Sequence, residues 1–279
     1  MKALFDKVSN ATAVLITKNY STSFSIAVRL LAPSIRQAIY NVYGFVRVAD
    51  EIVDSFDGYQ QELLLNRFEE EYYFAEKNGI SSNPVINAFQ RTVAQYDIDK
   101  KLITAFLKSM RADLTKQVYT TNDEVKEYIY GSADVVGLMC LKIFVQGDQE
   151  KYLELLKPAM KLGSAFQKVN FLRDFKADYE ELSRTYFPNV DPHELTSEDK
   201  KRIILDIEKE FKAAAKGIKV LPKEAKLGVY VAYVYYLSLL KKIDNTPAKM
   251  LLGSRIRVSN SLKTYLLCKS FLKYQFNIV

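Results

Sequence analysis

The chain has no tryptophan, one histidine and two cysteines, and only 10 glycines and 7 prolines among its 279 residues. Each scarcity removes a class of function. The lone histidine, His193 in the proline-flanked stretch VDPHEL, argues against a zinc centre built from nitrogen and sulfur ligands. Cys140 and Cys268 stand far apart in apolar surroundings without metal-knuckle or redox spacing, so two reduced core thiols are expected. Few glycines and prolines together with 48% apolar residues exclude a linker or a disordered tail. No apolar run approaches the roughly 20 residues of a bilayer span. The start, MKALFDKVSNATAV, lacks the basic segment and pure apolar run of a secretory signal, and KTYLLCKSFLKYQFNIV, with three lysines, is too polar to span. These absences predict a cytoplasmic protein.

The charge is +7, but its basic residues are scattered among acids. There is no basic arm and no alternation of lysines with aromatics, so nucleic acid is not an expected partner. A transient contact with a membrane surface is compatible with this charge. Nothing in the pattern fixes an oligomeric state. The 19 tyrosines and 16 phenylalanines suit either a packed core or an apolar cavity.

Convincing period-2 strands are absent, and the dominant period is helical, as in LITAFLKSMRADL and EVKEYIYGSADVVGLMCLKIF. Asn122 precedes one start, and Thr196 with Asp199 forms a variant capping box before another. Breaks at Ala32-Pro33, Asp57-Gly58, Asn78-Gly79, Gly147-Asp148, Leu221-Pro222 and Thr246-Pro247 divide the chain into helices of ordinary to long length. The reading is one all-α domain over 1–279 with about ten helices.

Two segments, RVADEIVDSF and NFLRDFKADYE, place acids inside otherwise apolar helical stretches. On a helix over 34–56, Tyr43, Arg47, Asp50 and Asp54 fall within a stripe about 60° wide, with Glu51 beside it. On a second helix over 150–182, Gln167, Asn170, Asp174 and Asp178 fall within about 80°. A polar stripe on an apolar helix must face water, a cavity or another polar stripe. Aspartates at i and i+4 set two hard oxygen ligands one turn apart, which suits Mg²⁺ completed by water and phosphate oxygens. Two such stripes facing each other could hold Mg²⁺ ions and a diphosphate. The plainer alternative is a pair of surface faces neutralised by Arg47, Arg173 and Lys176.

The chain resembles the squalene/phytoene synthase family of head-to-head isoprenoid synthases. The segments that carry the resemblance are YSTSFSIAVRLL at 20–31, VYGFVRVADEIVD at 42–54, YIYGSADVVG at 128–137, FQKVNFLRDFKADYEELSRTYFP at 166–188 and RIRVS at 255–259. The resemblance implies an all-α isoprenoid synthase fold around a central apolar cavity. It implies Mg²⁺, with Mn²⁺ as an alternative, at Asp50, Glu51, Asp54, Asn170, Asp174 and Asp178. Two prenyl diphosphate substrates would meet Ser21, Ser23, Phe24, Tyr43, Arg47, Gln167, Asn170, Arg173, Tyr236 and Arg255, with Tyr233 and Tyr235 as rivals to Tyr236. Tyr43 and Tyr130 are candidate catalytic tyrosines, and Arg184 is expected to pair with the second motif. The DExxD form of the first motif and the SRTYFP ending resemble the phytoene branch, which joins two geranylgeranyl diphosphates without NADPH. Val28, four residues beyond Phe24, leaves room for a C20 tail. The alternatives are a squalene or dehydrosqualene synthase using farnesyl diphosphate, and a non-catalytic scaffold relative, which would have eroded acidic motifs.

Overall fold

The structure, a computed structural model, describes residues 1–180, 184–191, 194–251 and 256–276. Ser21 ends α1 (Lys2–Tyr20) and caps α2 (Thr22–Arg29): its backbone is extended, and its hydroxyl accepts from the Phe24 N–H at 3.3 Å. Pro33 opens α3 (Pro33–Asp54), where a missing N–H costs nothing. Gly79, at φ 72°, ends α4 (Gln61–Asn78) in the left-handed conformation that glycine adopts most readily. Asn83 and Asp99 cap α5 (Pro84–Tyr96) and α6 (Lys100–Asp113).

The cap of α7 (Asn122–Ile129) is Thr121, one residue before the expected Asn122. A capping box needs an acid three positions on, and Glu124 stands there, accepting from the Thr121 N–H at 3.1 Å. A π-helical segment, Tyr130–Asp134, then runs into α8 (Val135–Val145). The continuous stretch Asn122–Val145 has the length and apolar content of a bilayer span, but 56% of its most apolar window is buried. Here it serves as a core helix. Gly131 lets the π segment approach α6, since a Cβ there would lie 1.8 Å from Ser109 Oγ and 2.8 Å from the Ala105 carbonyl. Gly131→Ala is expected to lower unfolding free energy by about 2–3 kcal/mol in a denaturant titration. An unchanged midpoint would mean that α6 yields freely.

The helix expected over 150–182 is divided: α9 (Gln149–Arg173) stops, and α10 (Phe175–Glu180) follows. Asp174 leaves helical geometry at φ −102°, ψ 11°. Arg173 Nε donates to Asp174 Oδ1 at 3.0 Å, and adjacent side chains on a regular helix do not face each other. The local turn permits that pair. The remainder comprises α11 (Ser197–Val220), α12 (Lys223–Asp244), α13 (Ala248–Leu251) and α14 (Asn260–Gln275). Splits of this kind raise the helical segments above the ten expected. Among the described residues the nearest approach to a strand is one isolated bridge, Val118 to Thr185.

One core surrounds Phe45, which stacks on Phe89 at 3.9 Å and on Phe68 at 5.0 Å. Another joins α9, α11 and α12 through Val169, Phe211 and Leu239. Both contribute walls to an apolar cavity of about 390 Å³ lined by α2, α3, α6, α7, the π segment, α8, α9, α11 and α12. Cys140 lines it, and burial pushes its thiol up to about 12. Cys268, expected in the core, is exposed on α14, whose one fully buried residue is Ser270. The two positions lie about 200° apart around a helix.

Candidate active site

On α3 the first polar stripe forms as read. Tyr43, Arg47 and Asp50 line the cavity, and Asp54 follows as the last residue of the helix. Arg47 bridges Asp50 Oδ2 at 2.7 Å and pairs with Glu51, while its guanidinium sits 4.5 Å over the Tyr20 ring. Its Nε is buried with no hydrogen-bond partner. Glu51, expected among the metal ligands, pairs with Arg47 as Asp50 does. Burial first and the Asp54 carboxylate second push Asp50 up to about 7.

Arg184 departs from expectation. Its side chain turns to the first motif instead of the second: Nη1 donates to Asp54 Oδ1 at 2.6 Å and Nη2 to the Asp113 carbonyl at 2.9 Å. It meets the second motif through its backbone N–H, which donates to the Asp178 carbonyl at 2.7 Å. That bond anchors the main chain beside α10 and leaves the guanidinium to reach across to α3. Its side chain is 6% exposed, and its field lowers Asp50, Asp113 and Asp178 alike. Asp178 is nonetheless pushed up to about 7 by burial, then by Asp174, with Asp54 contributing. The two motifs therefore face each other across Arg184.

Among the described residues, no three Asp, Glu, His or Cys side chains are gathered closely enough to enclose an ion. The carboxylates are instead close enough to repel one another and are half-buried. Such pairs of hard oxygen donors fit Mg²⁺, which takes one or two carboxylates and fills its shell with water and phosphate oxygens.

Gln167 and Asn170 line the cavity from α9. Asn170 Oδ1 accepts from Tyr236 Oη at 3.2 Å, and the Tyr236 ring stacks on Phe166 at 4.0 Å. Of the three rival tyrosines, Tyr236 lines the cavity; Tyr233 packs edge-on against Phe211, and Tyr235 lies under Lys263. Arg173, engaged with Asp174, lies close enough to lower the Tyr236 hydroxyl, which burial raises. Phe24 stacks on Tyr43 at 4.6 Å. Tyr43's hydroxyl meets Ser21 and is held above its ordinary value by burial. Ser21 and Ser23 are half-buried on the same segment but do not line the cavity. Arg255 lies outside the described residues.

Tyr130 does not reach the cavity. It is 39% exposed, and Tyr128, two positions earlier, lines the cavity instead. Side chains two apart on a helix diverge by about 200°, so both cannot face inward. Sequence reading missed Tyr128, Ser132 and Asp113. The last had a signal: Asp113 continues the buried Phe106–Met110 row of α6 at helical spacing.

A family model for squalene/phytoene synthase matches residues 17–261. Phytoene synthase 1 of Solanum lycopersicum is 28% identical over 248 residues, 82% of this chain and 60% of the relative, so the chain spans about three fifths of that protein's length. The 4,4'-diapophytoene synthase of Staphylococcus haemolyticus is 28% identical over 176 residues, 62% of this chain and 59% of the relative. A solved dehydrosqualene synthase superposes with a TM-score of 0.83 at 22% identity, covering 97% of this chain and 98% of that one. With a family match spanning most of its length and the expected fold, this chain belongs to the squalene/phytoene synthase family.

Proposed function

We propose that the protein is a Mg²⁺-dependent prenyltransferase that condenses two geranylgeranyl diphosphates head to head to phytoene, through a cyclopropylcarbinyl diphosphate and without NADPH. The observation that carries this reading is the joining of two facing acidic motifs to an apolar cavity walled by small residues such as Ala27, Val28, Gly137 and Ala232. Asp50 and Asp54 on one side, Asp174 and Asp178 on the other, would hold the ions, with Asn170 close by. Bound there, Mg²⁺ neutralises the charge of a leaving diphosphate. Arg47 and Arg173 supply planar forks to phosphate oxygens. Tyr43 and Phe24 close the cavity near Arg47, and their stacked rings keep water from an allylic cation while offering it π faces. Val28 is 2% exposed and lines the same wall, where its modest size leaves length for a long tail.

A second reading, condensation of two C15 diphosphates, draws on the likeness to the staphylococcal relative. Both are tested by incubating the purified protein with Mg²⁺ and geranylgeranyl or farnesyl diphosphate, with and without NADPH. Phytoene from the C20 substrate alone is expected. Turnover confined to the C15 substrate would transfer the assignment to the second reading, and no Mg²⁺-dependent turnover of either would remove both.

A further inference from the structure

We propose that α14 is a docking helix that lays its outer face on the surface of an anionic lipid bilayer. The helix is apolar on two sides. Its inner side packs on α12, where Tyr274 Oη donates to the Lys223 carbonyl at 3.4 Å and Lys263 Nζ lies 5.7 Å over the Tyr235 ring. These two contacts set the helices antiparallel. The outer side is open: Tyr265 is 57% exposed, Leu272 56% and Phe276 72%, and Cys268 is exposed beside them. At 100° per residue those four positions fall within about 80° of one another. Apolar side chains gathered in one exposed row mark an interaction surface, whereas scattered ones do not. With 16 residues and three lysines, α14 is fit to lie on a bilayer and too short to cross one.

Charge decides what this surface meets. Basic and acidic residues mix along most of the chain, but from Asn245 to Val279 there are six Lys and Arg and no Asp or Glu. That segment carries +6 of the chain's +7, which leaves +1 for the other 244 residues. Lys263, Lys269 and Lys273 stand on α14 itself. Lys269 Nζ lies 5.6 Å over the Tyr265 ring, so a cation flanks the apolar row. Lysines reach headgroup phosphates along their apolar stems, while rings and leucines enter the boundary between headgroups and acyl chains. Each lysine brought near an anionic surface adds to the attraction. A second copy of the chain fits poorly, because a two-fold contact would set this charge against itself with no acid to meet it.

Position gives docking a use. α12, which α14 covers on one side, presents Gly228, Val229 and Ala232 to the cavity on another. A docked α14 leaves two helices between the cavity and the bilayer, so an apolar product has a short route out of water. That use rests on the head-to-head reading above. The docking does not, and its test involves no substrate.

The test sediments the full chain with vesicles of phosphatidylcholine alone or with about 30% phosphatidylglycerol, at about 0.1 M salt. Binding to the anionic vesicles is expected to be at least about tenfold tighter, and raising salt to about 0.5 M should remove most of that preference. Leu272→Gln with Phe276→Gln, and separately Lys269→Glu with Lys273→Glu, should each weaken anionic-vesicle binding by about tenfold with the circular dichroism unchanged. Equal binding to both vesicles, or unchanged binding in either double variant, overturns the proposal. So does a dimer in size exclusion that Leu272→Gln with Phe276→Gln dissociates, which would assign the face to a second copy. Tighter binding to single-stranded DNA than to the anionic vesicles overturns it as well. The wild-type comparison decides the matter alone if a double variant does not fold. A chain that docks yet turns over neither diphosphate keeps this inference and removes the condensation reading.

Discussion

Asp54→Asn is expected to reduce Mg²⁺-dependent turnover of prenyl diphosphate by about a thousandfold or more, ~4 kcal/mol of transition-state stabilisation, with the helical circular dichroism unchanged. Asparagine keeps the size and one acceptor oxygen of aspartate but not its charge, and charge is what holds a hard divalent cation. The fold tolerates the change because Asp54 is the last residue of α3 and its side chain is 30% exposed. Asp174→Asn should behave alike, since Asp174 already lies outside regular helix and its backbone bond to Asn170 does not involve the side chain. Near-wild-type activity in either variant would withdraw the metal role from that motif.

Arg184→Met is expected to destabilise the protein by about 3 kcal/mol and to lower the thermal midpoint by roughly 6–10 °C. The guanidinium is buried and spans Asp54 and the Asp113 carbonyl while its field reaches Asp50 and Asp178. Without it, four carboxylates lose their common cation. Methionine fills much of the volume, so the loss should come from charge and hydrogen bonding more than from a cavity. Added Mg²⁺ should raise the midpoint of Arg184→Met more than that of wild type, because the ion replaces the missing positive charge. An equal or smaller shift would show that Arg184 does not share the field of the proposed ion site.

Fold and site were legible to different degrees. The α3 stripe followed from spacing alone because the helix is unbroken from Pro33 to Asp54. The α9 stripe kept its members but not its single axis, since the backbone leaves helical geometry at Asp174 between α9 and α10. The inward tyrosine was misassigned by two positions, because the motif Tyr130-Gly131 marks where the π segment nears α6 rather than which ring enters the cavity. Arg184 was visible as an arginine near acids, yet its partner could not be read. Asp54 lies 130 residues away in the chain, and periodicity carries no information at that range. Asp113 shows the converse, a buried acid whose helical spacing was available but whose partner, Tyr128, depends on how α6 and α7 meet.

The 130-residue separation of Arg184 and Asp54 also bears on the order in which the molecule acquires its parts. Helices form from local contacts in microseconds, whereas a contact closing so long a loop must wait for the intervening chain to collapse. An emerging polypeptide that ends before residue 184 already holds α3 with its acids, but not the cation that lies among them. Until that arginine docks, the carboxylates have every reason to stay hydrated, and the apolar walls around them have a wet edge. The centre of negative charge is thus made early and sealed late.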